Sequence, residues 1–266
     1  MKLNLKKNLH SKMSYGIINI FFYWKASDRC EVNLNYVPTA GLQNYCTFCS
    51  NLTDLITNLT LFNEFNAALI SDRNGFNSSA LNLSKGYVQA PNGVYFDGGN
   101  FTVMAWIYPR AFNSYSRLID FGNGENNDNV ICTISEGTSG KVRTAFFNSS
   151  ILFGLTSNQT LQLNKWQHVA FTFSPLKDAS IYVNGKLTAQ LVNPQVRPNN
   201  VTRTKNYIGK SYSTNDGLAN AIFDELKIFS VALNQSQVQF EMNNDFYDLL
   251  SPPNSLTTSL STSLTI

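Results

Sequence analysis

The sequence predicts an all-β fold, layers of antiparallel strands packed as a sandwich, and three observations carry that expectation. Residues 166–186 hold two runs with period-two alternation: Val169, Phe171 and Phe173 oppose His168, Ala170 and Thr172, then Ile181 and Val183 oppose Tyr182. Side chains alternate across a strand, so each run can bury one side against a core. A polar break containing Pro175 separates the runs, and Asn184 and Gly185 follow the second. Asn and Gly tolerate the positive φ that tight hairpin turns need, so this is the signature of neighbouring antiparallel strands. Similar short runs punctuated by turn residues fill residues 79–229, which is the pattern of a sandwich.

Taken in order, residues 1–27 place lysines before the apolar run at 14–24, the layout of a secretory signal or signal anchor. Asn19 interrupts that run, which falls short of the roughly 20 residues of a membrane span. Membrane contact is expected only if this segment anchors the chain. Residues 28–66 form a cysteine-containing lead. Cys46 and Cys49 make a C-x-x-C pair without the βαβ context of a redox motif or the second pair of a zinc site. A disulfide among Cys30, Cys46 and Cys49 is expected, its pairing left open; the alternative is a remnant of an upstream cysteine-rich module. Leu52, Leu55, Ile56, Leu59 and Phe62 recur at three and four, which predicts one short amphipathic helix within 51–66.

The β domain spans 67–246. Residues 79–83 and 86–90 read as two short strands, and residues 101–108 as a strand apolar on both faces and therefore covered on both. Further strands fall at 118–121, 129–135, 141–147, 206–209 and 219–229, with Cys132 expected as a buried, inert thiol. A short helix is predicted over 233–242, with Asn234 as its cap and Gln237 three residues on. Residues 247–266, rich in Ser and Thr with Pro252 and Pro253, read as a disordered linker or stalk.

Trp166, the HVA run at 168–170, IYVNG at 181–185 and NYIGK at 206–210 resemble the laminin G-like domain, within the concanavalin A-like lectin and glucanase group. Residues 101–109 (FTVMAWIYP) are similar to its early core strand and 117–122 (RLIDFG) to the next. Residues 222–229 (IFDELKIF), followed by Ala232 and Leu233, are similar to its closing strand and helix. The resemblance covers residues 78–245 with the blocks in family order. It implies a two-sheet antiparallel jelly roll and a non-enzymatic extracellular recognition or adhesion module, secreted or on the outer face of the membrane. The implied ligand is a glycan, with a protein-binding or structural spacer of a multi-module surface protein as the alternative.

The composition excludes other classes. Charged residues are only 14% and the net charge is +3, with no basic stripe interleaved with aromatics, so nucleic acid is not a partner. Nine N-x-S/T sequons, at Asn51, Asn58, Asn77, Asn82, Asn100, Asn148, Asn158, Asn200 and Asn234, permit an extracellular glycoprotein. About six would arise by chance at this Asn, Ser and Thr content, so they argue weakly. His10 and His168 are the only histidines, which starves histidine-based catalysis, and no G-x-S-x-G or phosphate-binding loop occurs. A glucanase needs two carboxylates about 5–9 Å apart across one glycosidic bond. Asp224 and Glu225, adjacent on one strand, should point to opposite faces, so no catalytic residue is assigned.

Binding residues are expected at two places. The loop at 122–129 (GNGENNDN) is dense in oxygen donors of the kind calcium takes in sets of six to eight. Asp128 and Asn129 before a strand are similar to a calcium-ligand pair in the related pentraxins. The acids that complete the pentraxin site are replaced here by Lys210, Ser211, Tyr212 and Ser213. Asp216 belongs to a turn that could approach the same end. Tyr115 and Tyr212, with Phe112, fall in predicted loops, where exposed rings can stack on sugar faces.

Overall fold

The computed structural model describes Asn33, residues 35–148 and residues 150–244. The signal or anchor expected at 1–27, Cys30 and the stalk expected at 247–266 lie outside the described residues. The strands are β1 (Leu42–Cys46), β2 (Phe62–Ile70), β3 (Ala80–Ala90), β4 (Phe101–Pro109), β5 (Arg117–Gly122), β6 (Val130–Thr133) and β7 (Lys141–Asn148). There follow β8 (Ser150–Thr160), β9 (Gln167–Phe173), β10 (Asp178–Val183), β11 (Lys186–Val192), β12 (Lys205–Ile208), β13 (Ala219–Phe229) and the helix α1 (Gln235–Asn243).

Every pairing is antiparallel, and the order is β11-β10-β9-β4-β13-β3-β12-β5-β6-β7-β8, with β1 on β13 and β2 on β3. Because β12 hydrogen-bonds both β3 and β5, the two layers of the sandwich belong to one continuous ladder folded on itself. The fold brings β8 back against β10 and β11. Phenylalanines fill the space between: Phe146 of β7 meets Phe173 of β9 edge-on at 4.7 Å, and Phe101 of β4 lies 5.7 Å from Phe146. Each such buried ring contributes about 1.5–3 kcal/mol by leaving water.

The β9–β10 pair has the register its alternation demands, with Val169 opposite Val183, Phe171 opposite Ile181 and Phe173 opposite Ala179. Asn184 and Gly185 then turn the chain into β11 with φ of 49° and 69°, positive at both central positions. The Asn184 side chain also accepts from the His168 backbone N–H at 2.9 Å. The apolar second face of β4 and β9 is covered as expected: Met104, Ala170, Tyr182 and Phe229 pack with Leu233 and Val238 of the α1 region. Asn234 and Gln237 cap α1 reciprocally, side chain to backbone in both directions.

Three local expectations are corrected. Residues 51–66 are not a helix: Asp54 accepts from the N–H groups of Ile56 and Thr57 at 2.8 Å and turns the chain, and Thr53 then bridges Thr60. Phe62 onward is strand β2, because the free edge of β3 offers it a ladder of interstrand hydrogen bonds. Residues 79–90 are one strand, not two; the apparent break is a bulge at Lys85, whose φ is 53°. A second bulge at Glu225, φ 54°, breaks the alternation from which its direction was read. Asp224 pairs with Arg73 and Glu225 accepts from the Tyr45 hydroxyl, both buried. The cysteines involve no correction: Cys49 is disulfide-bonded, which leaves Cys46 as a buried free thiol, and Cys132 is a buried free thiol as well. Burial pushes both thiols up, which makes them inert.

Two buried cationic anchors hold the periphery. Arg203, fully buried, donates to the backbone oxygens of Asp128 (2.9 Å), Phe96 (3.0 Å) and Asn199 (3.0 Å), tying three loops together. Lys227 of β13 reaches the Glu241 carboxylate at 3.0 Å and the carbonyls of Glu241 and Asn244, both at 3.1 Å, and so pins α1. Burial opposes charge on Glu241, but Lys227, the Tyr36 hydroxyl and the Thr39 N–H outweigh it and hold the carboxyl below its usual range. No helix among the described residues is long and apolar enough to cross a membrane.

Candidate functional site

Strands β6 and β7 bury Val130, Cys132, Val142 and Phe146 in the core, so Ile131, Thr133, Arg143, Ala145 and Phe147 face outward by strict alternation. These outward residues floor a cleft of about 300 Å³. The loops before β5 and after β12, hydrogen-bonded to each other from Gly217 to Ser114 at 2.6 Å, line it as well, supplying Tyr115 and Ser211, Tyr212 and Asp216. Glu125 and Asn126 of the loop before β6 stand at the rim. Tyr115 is 39% exposed and sits at φ 47°. The Tyr212 hydroxyl donates to the Lys205 carbonyl at 3.2 Å, which holds its ring in place.

A buried network sets the polar end of the cleft. Arg117 donates to Asp216 at 2.7 Å and to Ser211 at 3.0 Å, and reaches Asp120 at 3.4 Å. It also donates to the Tyr115 carbonyl, so one guanidinium ties both loops. Asn129 donates to Asp120 at 2.7 Å and accepts from the Asn127 N–H at 2.7 Å. Burial raises the Asp120 carboxyl; Arg117, the Asn129 amide and the Tyr212 N–H pull the other way. Arg143 is tied to Glu136 at 2.8 Å. The arrangement offers oriented donors and acceptors beside two tyrosine rings, which is what orders the hydroxyls of a polar ring while its apolar face is covered.

Of the residues expected from sequence, Tyr115, Tyr212 and Asn129 are brought together here, and Asp216 joins them through Arg117. Asp128 is not: at φ 59° its carboxylate turns to Asn199, whose amide it accepts at 2.7 Å. The Asp128 and Asn129 side chains therefore diverge into separate partnerships. That is a poor fit to a pentraxin-like calcium pair, and the described residues hold no group of three or more His, Cys, Asp or Glu able to ligate a metal. Phe112 packs against the core beneath Gly140 instead of facing the cleft. Arg117, Arg143, Ile131 and Phe147 were missed, although the outward phase of β6 and β7 and an arginine opening an apolar strand were both readable.

Comparison with known proteins completes the assignment. A model of the concanavalin A-like lectin/glucanase superfamily, laminin G type, matches residues 82–239. The chain belongs to that superfamily. A search of curated protein sequences finds no match. Among solved structures, domain 4 of AbnA, a GH43 extracellular arabinanase from Geobacillus stearothermophilus in complex with arabinotriose, is similar, with TM-score 0.62 and 18% identity over 76% of this chain and 98% of that one. The binding domain of Paraclostridial Mosquitocidal Protein 1 is also similar, with TM-score 0.59 and 18% identity over 76% of this chain and 52% of that one. A mutant Trypanosoma rangeli sialidase displaying trans-sialidase activity matches with TM-score 0.56 and 19% identity over 79% of this chain and 35% of that one. The chain thus spans about half of the toxin domain and a third of the sialidase. These likenesses are in fold.

Proposed function

We propose that the chain is a carbohydrate-binding module and that its glycan occupies the cleft between Tyr115 and Tyr212. The observation that carries the reading is the cleft itself, two tyrosines flanking an arginine–aspartate network whose members are already hydrogen-bonded in position. Prepaid ordering of side chains is what lets a shallow polar site bind a sugar. The arabinotriose complex of the similar AbnA domain supports the reading. In this reading the cleft binds without turnover, its two inner carboxylates, Asp120 and Asp216, both being engaged by Arg117. The disulfide at Cys49 supports an oxidising, extracellular setting.

The test is a glycan array on the purified chain, repeated for Tyr115→Ala and Tyr212→Ala, each with calcium and with a chelator. Saturable binding that falls about tenfold or more in either variant supports the cleft. Binding that survives both substitutions, or none to any glycan with the fold intact, removes the proposal and points to a protein partner instead. Loss on chelation would restore calcium to the site despite the divergence of Asp128 and Asn129.

A further inference from the structure

The cleft does not end at Tyr212. On the outer side of β2, β3 and β12 the core-facing Val88 and Ile208 leave their neighbours Tyr87 and Tyr207 pointing outward. The rings run in series: Tyr212 lies 5.4 Å from Tyr207, Tyr207 5.7 Å from Tyr87, and Tyr87 stacks on Phe65 at 5.6 Å. Phe65 is 46% exposed at the far end. An unbroken aromatic strip therefore crosses three neighbouring strands, about 4.8 Å apart, and opens into the cleft at Tyr212.

Two cations are seated on this strip. The Lys210 ammonium fills the notch between Tyr87 and Tyr207, 4.5 and 4.6 Å from their centroids, and the Lys205 ammonium lies 5.6 Å from the Tyr212 centroid. Neither enters an ion pair among the described residues, whereas Arg117 and Arg143 in the cleft are each matched by carboxylates. Cation–π seating fixes the ammonium positions without neutralising their charge. The result is an apolar surface carrying two positioned, unmatched positive charges.

From this juxtaposition we infer that the Phe65–Tyr87–Tyr207–Tyr212 strip, with Lys205 and Lys210, is a second subsite that takes an acidic sugar of a glycan whose neutral part lies in the cleft. The inference rests on the proposed glycan-binding function and deepens it. The sugar ring covers exposed aromatic surface while its carboxylate or sulfate meets the lysines. The shared requirement is an anionic group at fixed distance from the cleft, whether it is a carboxylate or a sulfate ester.

The experiment is calorimetric titration of the full chain with matched pairs: 3′-sialyllactose against lactose, trigalacturonate against galactotriose, and a heparin tetrasaccharide against its desulfated form. Each is repeated with Lys205→Gln/Lys210→Gln, two surface changes, after a thermal melt confirms the fold. The wild type should bind at least one acidic member roughly fivefold to tenfold more tightly than its neutral partner, the worth of two partly exposed charge contacts. The double variant should lose that preference and keep its affinity for the neutral member. Which pair responds separates carboxylate from sulfate. Neutral glycans binding with no acidic preference, or a preference that survives the double substitution, overturns this subsite and leaves the cleft standing. No binding to either member of any pair overturns this subsite, while the glycan array decides the cleft separately.

Discussion

Acidification should destabilise the protein through His168, and the size of the effect follows from its surroundings. The imidazole is buried to 2% exposure on β9, edge-on to Trp106 with ring centroids 5.4 Å apart. Its Nδ1 has no hydrogen-bond partner among the described residues. Burial above all, then the positive charges of Lys227 and Arg73, lower its pKa from 6.5 to about 3. The folded protein therefore keeps this ring neutral over a range in which the unfolded chain protonates it. Between pH 6.5 and about 3 the unfolded state binds one more proton, so stability is fully present above pH 6.5 and declines as the pH falls through that window. Each pH unit costs about 1.4 kcal/mol, which comes to about 2 kcal/mol at pH 5. Urea unfolding of wild type and His168→Gln at pH 7, 6 and 5 measures it. The substitution itself will lower stability at every pH, but carboxylate titrations are common to both proteins, so the gap between them should narrow by about 2 kcal/mol from pH 7 to pH 5. A constant gap would show that His168 protonates within the folded protein, and the account of its burial would be wrong.

Two further outcomes test the anchors. Removing the Arg203 guanidinium by Arg203→Met leaves three loop carbonyls without their donor and should cost about 3–5 kcal/mol in urea unfolding, partly offset because a buried charge goes with it. Lys227→Met should cost about 3–5 kcal/mol because it strands the buried Glu241 carboxylate, while Lys227→Met/Glu241→Gln should recover part of that loss. A double-mutant cycle by thermal or urea unfolding reads the difference, and additivity would deny the pairing.

Much of the fold was legible because its signals are local. The alternation in residues 166–186 and the Asn184 and Gly185 turn dictate a hairpin whichever surface it packs on, and the Asn234 and Gln237 box starts α1 with no help from elsewhere. The failures share one cause. The spacing of Leu52, Leu55 and Leu59 suits a helix, but a strand edge on β3 supplied better partners to the residues that follow. At Lys85 and Glu225 the period was read correctly and the bulge was invisible, since a bulge answers to the neighbouring strand and not to its own residues.

The candidate site divides the same way. Tyr115, Tyr212 and Asn129 could be picked out by residue type and loop position, and the cleft joins them. That Asp128 turns aside to Asn199 depends on one positive φ and on a loop some seventy residues away, which no spacing encodes. The sequence by itself determined most of the core strands, the hairpin and the cap, because those follow from backbone geometry and neighbours within a few positions. Only the tertiary structure decided which outward faces meet. Arg117 finds Asp216 and Ser211, and Tyr207 meets Tyr87, because the ladder folds on itself and brings distant segments within hydrogen-bond and ring-contact range.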